Sequence, residues 1–172
     1  MRHLLTLLVV ALLFGLEFTL WLTNPMHIPT AFLPARAFGL QLFREPGPAM
    51  EPTLPADQHV LMSSWAYWRE PPRVGDVVAF AYPADPSVAD VKRIVATAGS
   101  TVEIRNGALL VDGKQRQEPY LKASDGRIHR DMHSISVPPD SYFVMGDNRD
   151  LSEDSRNYGV IARDRIIGKQ LF

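Results

Sequence analysis

Two polar clusters hold the side chains able to do chemistry. Lys92 and Arg93 sit inside the apolar run Val88-Ala-Asp-Val-Lys-Arg-Ile-Val-Ala96, and Gly146-Asp-Asn-Arg-Asp-Leu-Ser-Glu-Asp-Ser-Arg156 follows directly on the apolar stretch 141–145. Strand alternation puts Lys92 on a face with Ile94 and Ala96, and Arg93 on the other with Val91 and Val95, so one of the two cations lies against apolar surface. A desolvated lysine gives up its proton more readily, and the neutral amine is a general base. Taken alone, such a lysine reads more simply as one whose stem crosses apolar surface while its head reaches water. The second cluster, taken alone, reads as Asx turns with Asp154 and Arg156 as a surface pair.

Other chemistries are poorly served. His129 and His133 have the spacing of metal ligands, but Arg-Asp-Met lies between them and no glutamate follows the first histidine. Counted as a calcium loop from Asp147, the third and fifth places are Arg149 and Leu151, and the sixth is Ser152 instead of glycine. His129-Arg130-Asp131 echoes a kinase catalytic loop without any glycine-rich phosphate loop, and no Gly-x-Ser-x-Gly elbow occurs. With no cysteine there is no thiolate chemistry and no disulfide, and a net charge of −1 supplies no bulk basic field for nucleic acid. Neither a metal nor a cofactor is expected.

A third stretch, Gly47-Pro-Ala-Met-Glu-Pro-Thr-Leu-Pro55, is the stiffest part of the chain. Pro46, Pro48, Pro52 and Pro55 fix φ, remove donors and push their predecessors towards extended conformations, while Gly47 is free of those limits. Such shaped loops often present a reactive group. The middle of this one offers the methyl of Ala49.

The elements that must position these groups are mainly β. Strands are expected over 37–43, 59–68, 77–82, 88–96, 101–105, 108–111, 135–137, 141–145, 158–161 and 166–169, with Asn106-Gly107 as a two-residue hairpin turn and Asp112-Gly113 as a second tight turn. The continuous apolar run 77–82 predicts a strand buried on both faces. The whole reads as an antiparallel, partly closed β-body of one domain, or a core with a small insert, in 172 residues.

The N-terminus is different. From Leu4 to Leu22 the chain is almost wholly apolar, and as a helix it spans roughly 28 Å, close to the hydrocarbon thickness of a bilayer. Trp21 stands where an interfacial aromatic belongs, and Glu17 is the one carboxylate. Ala35-Arg36-Ala37 offers a small-x-small cleavage site, but it lies far beyond an apolar run already longer than a signal h-region. A retained transmembrane helix over 4–22, preceded by a cytoplasmic 1–3 and followed by a membrane-proximal connector over 23–36, is the expectation. Arg2 on the inner side places the body on the outer face.

Taken in order, an apolar anchor, the Met-x-Pro-Thr-Leu loop, a strand with Lys-Arg, and Gly-Asp-Asn-Arg-Asp-x-Ser-x-Asp-Ser-Arg resemble the bacterial type I signal peptidases, membrane-anchored serine proteases with a Ser/Lys dyad. The resemblance rests on 46–54, 73–80, 90–95 and 146–156. It implies a mainly β fold with an antiparallel catalytic core (37–96 and 137–172) and a small inserted β subdomain (97–136), signal peptides of exported preproteins as partners, and a place in the cytoplasmic membrane. It also implies roles. Lys92 matches the general base, Ser152 the hydroxyl that orients it, Asp147 the carboxylate paired with Arg93, and Asp154 with Arg156 a supporting ion pair. Pro46, Gly47, Met50, Asp90 and Val91 match the walls of the substrate groove. Three positions depart from the pattern: the nucleophilic serine falls on Ala49, Gly47 stands where some members have serine, and Tyr158 where tryptophan is common. The resemblance thus implies a signal-peptide endopeptidase inactive through Ala49, read as a Ser→Ala substitution. A natural pseudoprotease with a binding role, or a related pilin-processing protease, is the alternative.

Overall fold

A computed structural model describes residues 39–121 and 131–171, together with positions 6, 9, 11–13, 15 and 19. Among these residues the strands are β1 (Leu40–Arg44), β2 (His59–Ser63), β3 (Val77–Ala81), β4 (Ala89–Thr97), β5 (Thr101–Arg105), β6 (Ala108–Val111), β7 (Lys114–Gln115), β8 (Met132–Ser136), β9 (Ser141–Met145), β10 (Ile161–Ala162) and β11 (Ile166–Gln170). A seven-stranded sheet runs β1-β2-β11-β3-β4-β9-β10, and a four-stranded sheet runs β7-β6-β5-β8. Every ladder is antiparallel. No ladder joins β1 to β10 among the described residues, so the larger sheet is open and not partly closed.

β3 lies at the centre of that sheet, and its sequence Val-Val-Ala-Phe-Ala is buried at all five positions. Alternation explains this, because both faces are covered. Val77, Ala79 and Ala81 pack with Met50, Leu54 and Val91 on one side. Val78 and Phe80 pack with Ile94, Tyr142 and Ile166 on the other. In the smaller sheet, Asn106 (φ 50°) and Gly107 (φ 74°) form the left-handed pair that a tight hairpin needs, and Asp112 (φ 54°) and Gly113 (φ 72°) repeat it between β6 and β7.

Some expected elements change. The strand expected over 59–68 ends at Ser63, and Trp65–Tyr67 forms a 3-10 turn. That turn buries Tyr67, whose hydroxyl donates to Asp76 at 2.9 Å, while Trp65 and Trp68 stay exposed. Asp76 also accepts from Lys169 and from the Arg73 amide. Burial pushes its carboxyl up, but these bonds together hold it below the ordinary aspartate value. The strand expected from 158 begins at Ile161, because Tyr158 closes a one-turn helix, α1 (Ser155–Tyr158).

The β4–β9 ladder shifts register between Ile94 and Ala96. This bulge breaks the expected alternation. Val95 and Ala96 both enter the cluster beneath the smaller sheet, while Ile94 stays in the cluster around Phe80. Ala96 therefore does not share the face of Lys92 and Ile94.

The connector at 23–36 and most of the expected membrane helix at 4–22 lie outside the described residues, as does His129. Among the described residues no helix is long and apolar enough to cross a membrane.

Candidate active site

The stiff loop becomes a 3-10 turn, Pro48–Met50, entered through an extended Gly47 (φ −137°). Met50 is fully buried beside Leu54, whose amide donates to the Met50 carbonyl at 2.9 Å, so this side chain anchors the turn to the core. Ala49 is half-buried. The turn packs against β4 and is tied to the second polar cluster by one residue. Asn148 donates its amide to the Ala49 carbonyl at 3.0 Å and its Nδ2 to the Pro48 carbonyl at 3.1 Å.

That second cluster turns about Asp154, which is wholly buried. Its Oδ2 accepts from the Gly146 amide (3.0 Å), Ser152 Oγ (2.9 Å) and Arg156 Nη2 (2.8 Å), and its Oδ1 from Arg156 Nε (2.8 Å) and the Arg156 amide (3.2 Å). The last bond caps α1, and Asn157 reaches back to the Asp154 amide to complete a capping box. Ser155 Oγ accepts from the Val144 amide inside the core. A Cβ at Gly146 would overlap both the Ser152 side chain and the Ala49 carbonyl, so glycine is needed for the loop and the turn to approach this closely. Gly146→Ala is expected to lower stability by about 1–3 kcal/mol, read as a fall in the urea midpoint. An unchanged midpoint would mean that the turn has moved away.

Arg93 meets Asp147 in a two-pronged pair, Nε to Oδ1 at 2.8 Å and Nη2 to Oδ2 at 2.6 Å. Its Nη1 donates to the Gly75 carbonyl at 2.8 Å, and its guanidinium lies 4.1 Å from the Tyr120 ring centre. Thr53 donates to the same carboxylate at 2.5 Å and accepts from Arg93 Nη2. A second buried pair, Arg149 with Glu118 at 2.5 Å, connects the cluster to the segment after β7.

Lys92 is 3% exposed, and its Nζ donates to Asp90 Oδ1 at 2.5 Å and to the Val91 carbonyl at 3.1 Å. Asp90 Oδ1 also accepts from the Val91 amide at 2.8 Å, and Oδ2 faces the Tyr158 hydroxyl at 3.5 Å. Burial pushes the Tyr158 hydroxyl far above its ordinary value, with Asp90 and Asp154 adding to the effect, so it stands as a donor.

Glu45 is the second carboxylate near Lys92, at 4% exposure. Burial raises its carboxyl above the ordinary value, Lys92 lowers it, Asp90 raises it again and the Gly47 amide lowers it. A raised value means that the folded chain holds this proton more tightly than the unfolded chain does. The resulting stability is full below the ordinary glutamate range and is lost as pH climbs through the raised value. Glu45→Gln is expected to show no such loss, so thermal midpoints of the two proteins should diverge with pH across that window. Parallel curves would remove Glu45 from the set.

The structure therefore places Arg93 with Asp147, Asp154 with Arg156, and Ala49 with Ser152 around Gly146. It does not place Ser152 on Lys92. Ser152 donates to Asp154, and Lys92 turns to Asp90, because a buried ammonium favours an anionic acceptor over a neutral one. Met50 and the Val91 side chain lie in the core, Asp90 is at the Lys92 head, and Pro46 is exposed. Thr53, Asn148, Glu118 and Glu45 escaped the sequence reading. Thr53 and Asn148 lie inside the recognised motifs and were legible as polar side chains there. Glu45 was legible only as a charge between Phe43 and the prolines, and Glu118 had no local signal. Among the described residues no three His, Cys, Asp or Glu side chains are grouped to hold a metal.

Comparison with known proteins points one way. The family model described as signal peptidase, peptidase S26, matches residues 18–172. The chain is similar to a probable signal peptidase I-1 of Synechocystis sp., 32% identical over 173 aligned positions that cover 96% of this chain and 78% of that protein. It is similar to signal peptidase IB of Staphylococcus aureus, 34% identical over 73% of each. Among solved structures, a signal peptidase I from Enterococcus faecalis superposes with a TM-score of 0.52 at 31% identity, covering 58% of this chain and 97% of that one.

Proposed function

Because the chain belongs to the signal peptidase family, peptidase S26, we propose that it is a membrane-anchored serine endopeptidase scaffold for removing signal peptides, with Ala49 in the nucleophile's place. The observation that carries this reading is the convergence of segments far apart in sequence. The turn bearing Ala49 is bonded to Asn148, packs against the strand bearing Lys92 and shares the space around Gly146 with Ser152.

With a hydroxyl at position 49, the Lys92 amine would take its proton while the oxygen bonds to the scissile carbonyl carbon. Backbone amides of the turn would stabilise the resulting oxyanion. Its collapse would break the C–N bond and expel the mature protein as an amine that takes the proton held by Lys92, and water would then hydrolyse the acyl-enzyme to free the signal peptide. The substrate is an extended signal peptide with small residues at P1 and P3, held along the backbone of Pro46, Gly47 and Met50 on one side and of Asp90 and Val91 on the other. The core comprises 37–96 and 137–172 with an inserted subdomain over 97–136. The apolar run 4–22 anchors it in the cytoplasmic membrane with the N-terminus inside and the body on the outer face. Neither metal nor cofactor enters these steps. As it stands, the chain binds such peptides and cleaves almost nothing.

A second reading, a natural pseudoprotease that binds without cutting, draws support from the pairing of Lys92 with Asp90 instead of with Ser152. The test is Ala49→Ser in the full chain, assayed on a membrane preprotein with Lys92→Met as control. A serine codon at position 49 of the encoding gene would decide for a substituted protease.

A further inference from the structure

We propose that Asp90 is a positioning residue that holds Lys92 away from position 49, so that the site carries a second lock besides the missing hydroxyl; this rests on the peptidase reading.

The geometry of the carboxylate supports it. Asp90 Oδ1 is held by the Val91 amide at 2.8 Å and takes the Lys92 ammonium at 2.5 Å, so the acceptor is pinned to the strand that carries the lysine. The Val91 carbonyl accepts a second ammonium proton at 3.1 Å. Both acceptors belong to β4, the strand of Lys92 itself. Among the described residues no hydrogen bond joins Lys92 Nζ to residue 49 or to Ser152. Ser152 gives its proton to Asp154, whose two oxygens are already shared among the Gly146 amide and three donors of Arg156.

The electrostatics point the same way. Glu45 (4% exposed) and Asp90 (21% exposed) both act on Lys92. Among the described residues neither carboxylate forms an ion pair with any other cation. For Lys92 to serve as a base its Nζ must arrive neutral, with its lone pair turned to residue 49. That leaves the Asp90 carboxylate without its ion-pair partner, beside the buried Glu45. Breaking a buried pair by discharging one partner is costly. The arrangement thus fixes the Lys92 head at Asp90 and the Val91 carbonyl. Tyr158 reinforces it by facing Oδ2.

The experiment uses the full chain in membranes and compares Ala49→Ser alone with Ala49→Ser plus Asp90→Asn, measuring kcat and KM on a preprotein. Asparagine keeps the shape and the bond from the Val91 amide but removes the charge. The expected result is a rise in kcat of about tenfold or more on adding Asp90→Asn, larger than any accompanying change in KM. Asp90→Glu on the same background should stay near the single variant. If the asparagine variant folds poorly, Asp90→Ser takes its place. Cleavage by Ala49→Ser that neither neutral variant raises, or a change confined to KM, overturns the inference and leaves the peptidase reading standing. Folded single and double variants that all leave the preprotein uncut overturn the peptidase reading, and this inference with it.

Discussion

Ala49→Ser is expected to start preprotein cleavage, raising kcat/KM by about a thousandfold or more over the chain as it stands. The magnitude follows from how catalytic units behave, since removing one member commonly costs several orders of magnitude. The substitution adds one oxygen at a half-buried position whose backbone is already held by Asn148, so the turn needs no rearrangement to receive it. Lys92→Met on the serine background should return cleavage to the background rate while the fold persists, because the change removes the amine proposed as the base and keeps the length of the stem. With Asp90 still paired to Lys92, the single variant should fall short of the full rate of an unlocked site. Cleavage is read from the shift of a preprotein to its mature size. Folded serine variants that leave the preprotein uncut both with and without Asp90→Asn would defeat the protease reading, and activity that survives Lys92→Met would defeat the assignment of the base.

Asp154→Ala is the substitution expected to cost most in stability, about 3–5 kcal/mol. This carboxylate is wholly buried and accepts from a backbone amide, a serine hydroxyl and three donors of one arginine. Its removal strands the Arg156 guanidinium, which is 15% exposed, and leaves the Gly146 amide without its acceptor. It also uncaps α1, which separately costs about 1 kcal/mol. The loop from 146 to 156 would then lose the shape that brings Asn148 to the Ala49 turn. Urea unfolding measures the loss, with the midpoint falling at unchanged slope. Arg105→Ala is the contrast. Arg105 and Glu103 pair at 2.6 Å with exposures of 61% and 26%, and truncation there should move the midpoint by no more than about 0.5 kcal/mol. Equal effects at the two sites would show that burial does not govern these pairs.

The two positions differ in how visible they were. Asp154 and Arg156 stood in a motif, but as sequence they fitted an ordinary surface turn equally well. What sequence does not carry is the desolvation that makes the pair matter, since this depends on β9 and the core beneath it. The Asn106-Gly107 hairpin was legible outright, because its turn is set by the left-handed preference of two adjacent residues. The double burial of β3 was legible too, as an apolar run without alternation. The α1 helix was not. A single turn of Ser-Arg-Asn-Tyr has no periodicity to detect, and it exists through its Asp154 cap. The bulge at Ile94–Ala96 left no mark either, since alternation in sequence assumes an unbroken ladder.

By itself the sequence determined the β character of the body, the stiffness of the loop around Ala49, the order of the motifs and the family they belong to. Each of these depends on residue type and local spacing. The tertiary structure decided where the charges go. Arg93 finds Asp147 across 54 positions and Arg149 finds Glu118 across 31, while Asn148 reaches back 100 positions to Pro48. Lys92 turns to Asp90, two residues away, and not to Ser152. That last choice was beyond any reading of motifs, because it turns on burial and on which acceptor carries a charge. Ala49 is written in the chain, and the pairing of Lys92 with Asp90 only in the fold.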